Sequence, residues 1–195
     1  MSGDLRAAGA TMSGDQQSVA LKSGSVAQTR EWGERIAAHT QAGDCVILSG
    51  DLGMGKTHFA QGFAAGLGVK AQVISPTFPL VLVYDDGRIP LYHFDLYRLA
   101  EATELEDIDF YGLVEGEGVS LIEWGERFAE ATEEADVLLR IEPGAREDER
   151  ILTLCGATAR GEALVRAVLA EAGAGAGAAV GAGVGAPGAG GECCE

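Results

Sequence analysis

At 195 residues the chain has room for one α/β domain with a full core, but not for two large ones. Its 14 Lys and Arg stand against 30 Asp and Glu, a formal charge of -16 with no basic run to offset it, which disfavours a tight grip on nucleic acid by this chain alone. The 4 cysteines lack the spacing of a metal site or disulfide framework, and no apolar stretch reads as a leader or membrane span, so a soluble, cytoplasmic protein is expected.

Residues 1–22 are rich in Gly, Ser, Ala and Asp without a periodic apolar pattern, and read as a disordered tail ahead of a domain over 23–171. Ser25 with Gln28 forms a capping box that opens a helix running to Gln41. Its apolar side carries Val26, Thr29, Trp32, Ile36, Ala37 and Thr40, with Trp32 read as core packing rather than a base-stacking platform. Gly43 stops that helix, and Cys45-Val46-Ile47-Leu48 follows as a short buried strand.

Gly50-Asp51-Leu52-Gly53-Met54-Gly55-Lys56-Thr57 fills the pattern G-x-x-x-x-G-K-[ST]. That pattern cradles phosphate: its glycines let successive backbone N–H groups turn inward, the lysine reaches the β- and γ-oxygens, and the Thr hydroxyl is available to Mg²⁺. Asp51, Leu52, Gly53, Met54, Gly55, Lys56, Thr57 and His58 are therefore the candidate nucleotide-binding residues. The helix that begins at the lysine and ends near Gly66-Leu67-Gly68 would turn its positive end to the phosphates.

Further on, Gln72-Val73-Ile74 reads as extended, and Ser75-Pro76-Thr77-Phe78-Pro79 as a stiffened loop presenting the Thr77 hydroxyl, either to a γ-phosphate and Mg²⁺ or as a plain turn. Leu80 to Tyr84 and Ile89 to Phe94 flank Asp85-Asp86-Gly87-Arg88 as a hairpin. The second strand runs into Asp95, and Val119 to Trp124 is another apolar strand with an acid, Glu123, near its end. Each acid stands where a P-loop fold places its Mg²⁺ partner. Glu101 to Asp107 and Glu126 to Glu134 read as helices, Val137 to Ile141 and Ile151 to Leu154 as a second hairpin, and Glu162 to Glu171 as a closing helix. From Ala172 onward the chain is a Gly/Ala-rich repeat, read as a disordered tail over 172–195.

The fold class expected is α/β: a P-loop NTPase-like three-layer arrangement with a mostly parallel sheet and a β-hairpin insertion. Guanine-reading P-loop proteins use an Asn-Lys-x-Asp motif and this chain has no asparagine, which points to ATP. A compact ATPase acting on a partner is the preferred reading. The alternatives are a nucleotide-switched protein-binding module without essential hydrolysis, and a small-molecule P-loop kinase.

Taken with the phosphate cradle, the elements Ser75-Pro76-Thr77-Phe78, His93-Phe94-Asp95-Leu96-Tyr97-Arg98 and Ile122-Glu123-Trp124 closely resemble, in order and spacing, the bacterial TsaE family, formerly called YjeE. The resemblance spans Ser25 to Leu154. It implies a P-loop ATPase required for making threonylcarbamoyladenosine in tRNA, with ATP and Mg²⁺ as cofactors. It implies that Thr77 lies in a switch-I-like loop, and that Asp95 and Glu123 act near Mg²⁺ and the γ-phosphate. Lys56, Thr77, Asp95 and Glu123 are then the catalytic candidates, and Thr57, Asp95 and Glu123 the metal candidates. The implied partners are TsaD and TsaB, whose complex carries out the transferase chemistry and reaches tRNA directly. Two positions depart from the family pattern: His58 stands where a second hydroxyl residue is common, and Pro79 where a polar residue is usual.

Overall fold

The computed structural model describes residues 7–13 and 16–174, with side chains over 18–172. Its strands are β1 (Ala7–Ser13), β2 (Gln16–Ser23), β3 (Cys45–Ser49), β4 (Val81–Tyr84), β5 (Leu91–Asp95), β6 (Val119–Glu123), β7 (Val137–Pro143) and β8 (Arg150–Gly156). The helices are α1 (Val26–Ala38), α2 (Lys56–Gly66), α3 (Glu104–Asp107), α4 (Phe110–Val114), α5 (Ala129–Glu133) and α6 (Ala159–Ala174), with a 3-10 turn at Gly125–Arg127. One sheet runs β1-β2-β8-β7-β3-β6-β5-β4. Its centre, β7-β3-β6-β5, is parallel. The flanks are antiparallel: hairpins join β1 to β2, β4 to β5 and β7 to β8, and β2 pairs with β8 from the other end of the sequence.

Alternation along β3 divides the core between two faces of this sheet. Val46 and Leu48 join Trp32, Phe59 and Phe63 beneath α1 and α2, a cluster that α6 completes with Leu164, Val165 and Val168. Cys45 and Ile47 face the other way, toward Phe94, Leu105, Phe110 and Ala131 of the α3–α5 layer. The result is the three-layer α/β arrangement expected, with both faces of the parallel strands covered. Trp32 is 1% exposed, and its indole Nε1 donates to Lys22 O at 3.0 Å, so it is a core residue.

The two helices on the P-loop face approach backbone to backbone. A Cβ on Gly33 would stand 2.8 Å from Phe63 N, one on Gly66 would stand 2.9 Å from the Ala37 Cβ, and one on Gly62 would run into Arg30 O. At the entry to α1, Ser25 Oγ accepts from Gln28 N at 3.2 Å, and Gln28 Oε1 accepts from Gly24 N at 2.7 Å, a side-chain cap in both directions.

Several expectations are corrected. The stretch expected to be a disordered tail up to Lys22 contains β2, which pairs with β8 from Ser18–Cys155 to Ser23–Arg150, and β1 pairs with β2 outside it. Val19 and Leu21 alternate into the core; two apolar side chains among Gly, Ser and Gln are too few to make a periodic signal, and it is the partner strand that selects them. Val26 is 49% exposed rather than part of the buried side of α1. The helix expected over Glu126 to Glu134 is broken at Phe128, whose extended backbone (φ -126, ψ 121) turns its ring into the core between the 3-10 turn and α5. Residues 72–74 form no strand, and α4, absent from the sequence reading, is anchored by buried Phe110 and Val114 one turn apart. The closing helix extends through Ala174 with Ala172 buried, so the start of the C-terminal tail moves outward; residues 175–195 lie outside the described residues.

Candidate functional site

β3 ends at Ser49, and the chain turns through 50–55 into α2 at the carboxyl edge of the sheet. Gly50 has φ 133, and a Cβ there would collide with Ile141 O of β7, so only glycine fits. Gly53 and Gly55 also lie at positive φ, 81 and 102. Gly55 is the N-cap of α2 and supplies no side-chain bond, which leaves the first-turn N–H groups pointing at the space inside the loop. From β8, Arg150 Nε donates to Met54 O at 3.2 Å and ties the loop to the sheet.

Within the loop, Lys56 Nζ donates to Gly50 O at 2.6 Å and Asp51 O at 3.1 Å, and lies 3.9 Å from the centre of the Trp124 ring. Burial lowers the pKa of this ammonium, while the carboxylates of Glu123, Glu126, Asp95 and Asp51 push it back up. Thr57 stands half-buried in the first turn of α2, next to His58.

The parallel register of β5 and β6 sets Asp95 directly opposite Glu123. Both side chains are 3% exposed. Asp95 is fully engaged: Oδ2 accepts from Thr77 Oγ1 at 2.8 Å and Ser75 Oγ at 3.2 Å, and Oδ1 from Tyr97 N at 3.1 Å. Glu123 Oε1 accepts from His93 Nε2 at 3.0 Å, and among the described residues Oε2 has no hydrogen-bond partner. Directly after it, Trp124 adopts φ 64, a left-handed backbone that is strained for so large a side chain and that swings the indole over Lys56 and against Tyr97, 5.1 Å away.

The two acid-ended strands thus come together as neighbours, with the loop of Thr77 folded onto one of the acids and the lysine of the cradle near the other. Arg98, whose direction the sequence leaves open, lies over the ring of exposed Phe78 at 5.0 Å. Sequence reasoning assigned no role to His93, Trp124 or Arg150. A buried histidine two residues before an acid on one strand face was a usable signal for the first; nothing local marks Arg150, which reaches the loop across 96 positions of sequence. Arg150 also borders a cleft of about 400 Å³ beside the cradle, walled by Ser25, Val26 and Thr29 of the α1 entry and by Met54 and His58. A Mg²⁺ ion takes oxygen donors. The Thr57 hydroxyl and the uncommitted Glu123 Oε2 are of that type, and among the described residues no group of three or more His, Cys, Asp or Glu forms an all-protein metal cage.

Comparison with known proteins agrees with this arrangement. A family model described as "Threonylcarbamoyl adenosine biosynthesis protein TsaE" matches residues 23–152. The chain is similar to the tRNA threonylcarbamoyladenosine biosynthesis protein TsaE of Treponema pallidum, 43% identical over 117 residues that cover 60% of this chain and 86% of the relative. It is similar to the protein of the same name in Bacillus subtilis, 39% identical over 137 residues, covering 70% and 85%. Among solved structures it resembles that of YdiB from the same organism, with a TM-score of 0.65 and 32% identity, covering 82% of this chain and 99% of that one.

Proposed function

The chain belongs to the TsaE family, and from that premise we propose that it binds and slowly hydrolyses Mg-ATP and, in doing so, sustains turnover of a TsaD–TsaB transferase that makes threonylcarbamoyladenosine in tRNA. The observation that carries the catalytic part is the pairing of Asp95 with Glu123 at the edge of the sheet that also ends in the cradle. The charge of -16 suits a subunit that acts on a protein complex and reaches tRNA only through it.

In this reading the N–H groups around Gly53 to Thr57 receive the β-phosphate, and Lys56 exchanges its carbonyl bonds to Gly50 and Asp51 for phosphate oxygens. The nucleoside occupies the cleft between the α1 entry, His58 and Arg150. Thr57 and Glu123 Oε2 would hold Mg²⁺, which when bound would supply charge neutralisation to the phosphates. Asp95, with both oxygens engaged by the 75–77 loop and Tyr97 N, holds that loop in position. Water attacks the γ-phosphorus in line, the bond to the β,γ-bridging oxygen breaks with its electron pair on ADP, a proton of the water passes to a γ-phosphoryl oxygen, and ADP and phosphate leave.

Among the described residues, Lys56 is the basic side chain inside the cradle, while Arg98 lies on Phe78. Nucleotide hydrolases in which no arginine reaches the transferred phosphate are slower by about 10³ to 10⁵ than those supplied with one. A slow basal rate that rises with the partner is therefore expected, and linkage then makes partner affinity depend on the nucleotide state. Phosphate release is measured for the chain alone and with TsaD and TsaB, beside titrations in ATP, ADP and a non-hydrolysable analogue. Stimulated release supports the ATPase reading; nucleotide-dependent affinity without release favours a binding switch; identical rates and affinities in every state reject both.

A further inference from the structure

We infer that His93 is a positioning residue for hydrolysis: its bond to Glu123 Oε1 fixes that carboxylate so that Oε2 is presented to the cradle. The inference rests on the ATPase reading above and adds to it a residue that touches neither nucleotide nor metal.

His93 is 0% exposed on β5, where it faces the same side of the sheet as Asp95 two positions on. Its register partner on β6 is Leu121, so the ring reaches diagonally along the strand to Glu123, with Nε2 and Oε1 3.0 Å apart. A carboxylate oxygen accepts, so the imidazole donates from Nε2.

The other ring nitrogen is the informative one. Nδ1 is buried with no hydrogen-bond partner among the described residues. A buried nitrogen left unpaired lowers stability, a cost that a leucine would avoid only by leaving the buried Glu123 carboxylate without its donor. Packing therefore does not explain an imidazole here, whereas the hold on Glu123 does. Without it the Glu123 side chain is free to rotate, and Lys56, whose pKa already responds to the Glu123 charge, is the cation within its influence. A Glu123–Lys56 pair would withdraw a metal oxygen and the phosphate-binding ammonium together.

The test compares His93→Leu, which removes the donor, with His93→Gln, whose amide nitrogen falls near the place of Nε2. Four quantities are read for each: thermal midpoint, ADP affinity in EDTA, affinity of the ADP complex for Mn²⁺, and kcat and KM for Mg-ATP hydrolysis with TsaD and TsaB present. Residues that orient a metal ligand in this way typically contribute about 10- to 100-fold to metal affinity or activity. His93→Leu is expected to fold with a lower thermal midpoint, because buried Glu123 loses its donor, and to leave ADP affinity in EDTA unchanged, while Mn²⁺ affinity and kcat each fall by about 10- to 100-fold. His93→Gln is expected to recover most of both. Wild-type Mn²⁺ affinity in a folded His93→Leu protein overturns the inference, as does a folded His93→Gln protein as impaired as His93→Leu. Should the wild type release no phosphate under any condition, the ATPase reading fails, and the Mn²⁺ comparison still decides the role of His93.

Discussion

Lys56 occupies the cradle as a folded-back ammonium, and its replacement separates binding from architecture. On the proposed reading, Lys56→Ala removes the charge that would face the β- and γ-phosphates and is expected to lower hydrolysis by at least about a hundredfold, with the far-ultraviolet spectrum unchanged; Thr57→Ala is expected to do the same through loss of the proposed metal oxygen. Because burial holds the Lys56 pKa below its usual value, its neutral form gains population at lower pH than in a free lysine. Binding an anion favours the charged form, so nucleotide binding takes up a proton in that alkaline range and affinity falls as pH rises through it. Titration with ADP across the range shows that limb in the wild type and none in Lys56→Ala. Glu123→Gln is expected to impair turnover far more than nucleotide affinity, whereas Asp95→Asn weakens the hold on Ser75 and Thr77; equal, normal turnover by both variants would return these acids to a structural role. At this scale much was legible: the cradle follows a dense local pattern, and both acids end apolar runs. Their adjacency was not, because the register that joins Asp95 to Glu123 links strands 28 positions apart in sequence, and nothing in either strand alone encodes it.

At the scale of elements, the seam between α1 and α2 consists of glycines where side chains would ordinarily stand. Gly62→Ala forces the helices apart at Arg30 O and is expected to destabilise the protein by about 1 to 3 kcal/mol, read as a lower midpoint in urea. The α6 entry is held by charge instead: Arg160 donates to Asp44 from Nε at 2.8 Å and from a terminal nitrogen at 2.6 Å, and Asp44 is 2% exposed. Arg160→Ala leaves that carboxylate buried beside only Gln41 N, and is expected to cost about 3 kcal/mol, less in a protein that also carries Asp44→Ala. Strand and helix identity was readable wherever a run was apolar or a cap was present, as at Ser25 and Gly55. It failed at β2 and at Phe128, where tertiary partners rather than local pattern decide the backbone.

For the whole molecule, β2 makes the N-terminal segment part of the sheet, so removal of residues 1–23 strips β8 of its outer ladder, leaving only its pairing with β7, and exposes the pocket of Val19 and Leu21. Burial of those two side chains alone is worth about 3 to 6 kcal/mol, and the shortened protein is expected to melt correspondingly earlier than the full chain. The sheet order carries a consequence for synthesis. β3, on which the cradle sits, hydrogen-bonds to β6 on one side and β7 on the other, so it cannot be paired on both sides until residue 143 has been made. At about 5 to 20 residues per second that interval lasts roughly 5 to 20 seconds. Throughout it the apolar Cys45–Ser49 stretch keeps at least one unpaired edge on the nascent chain, the kind of edge that invites wrong pairing until β7 closes it.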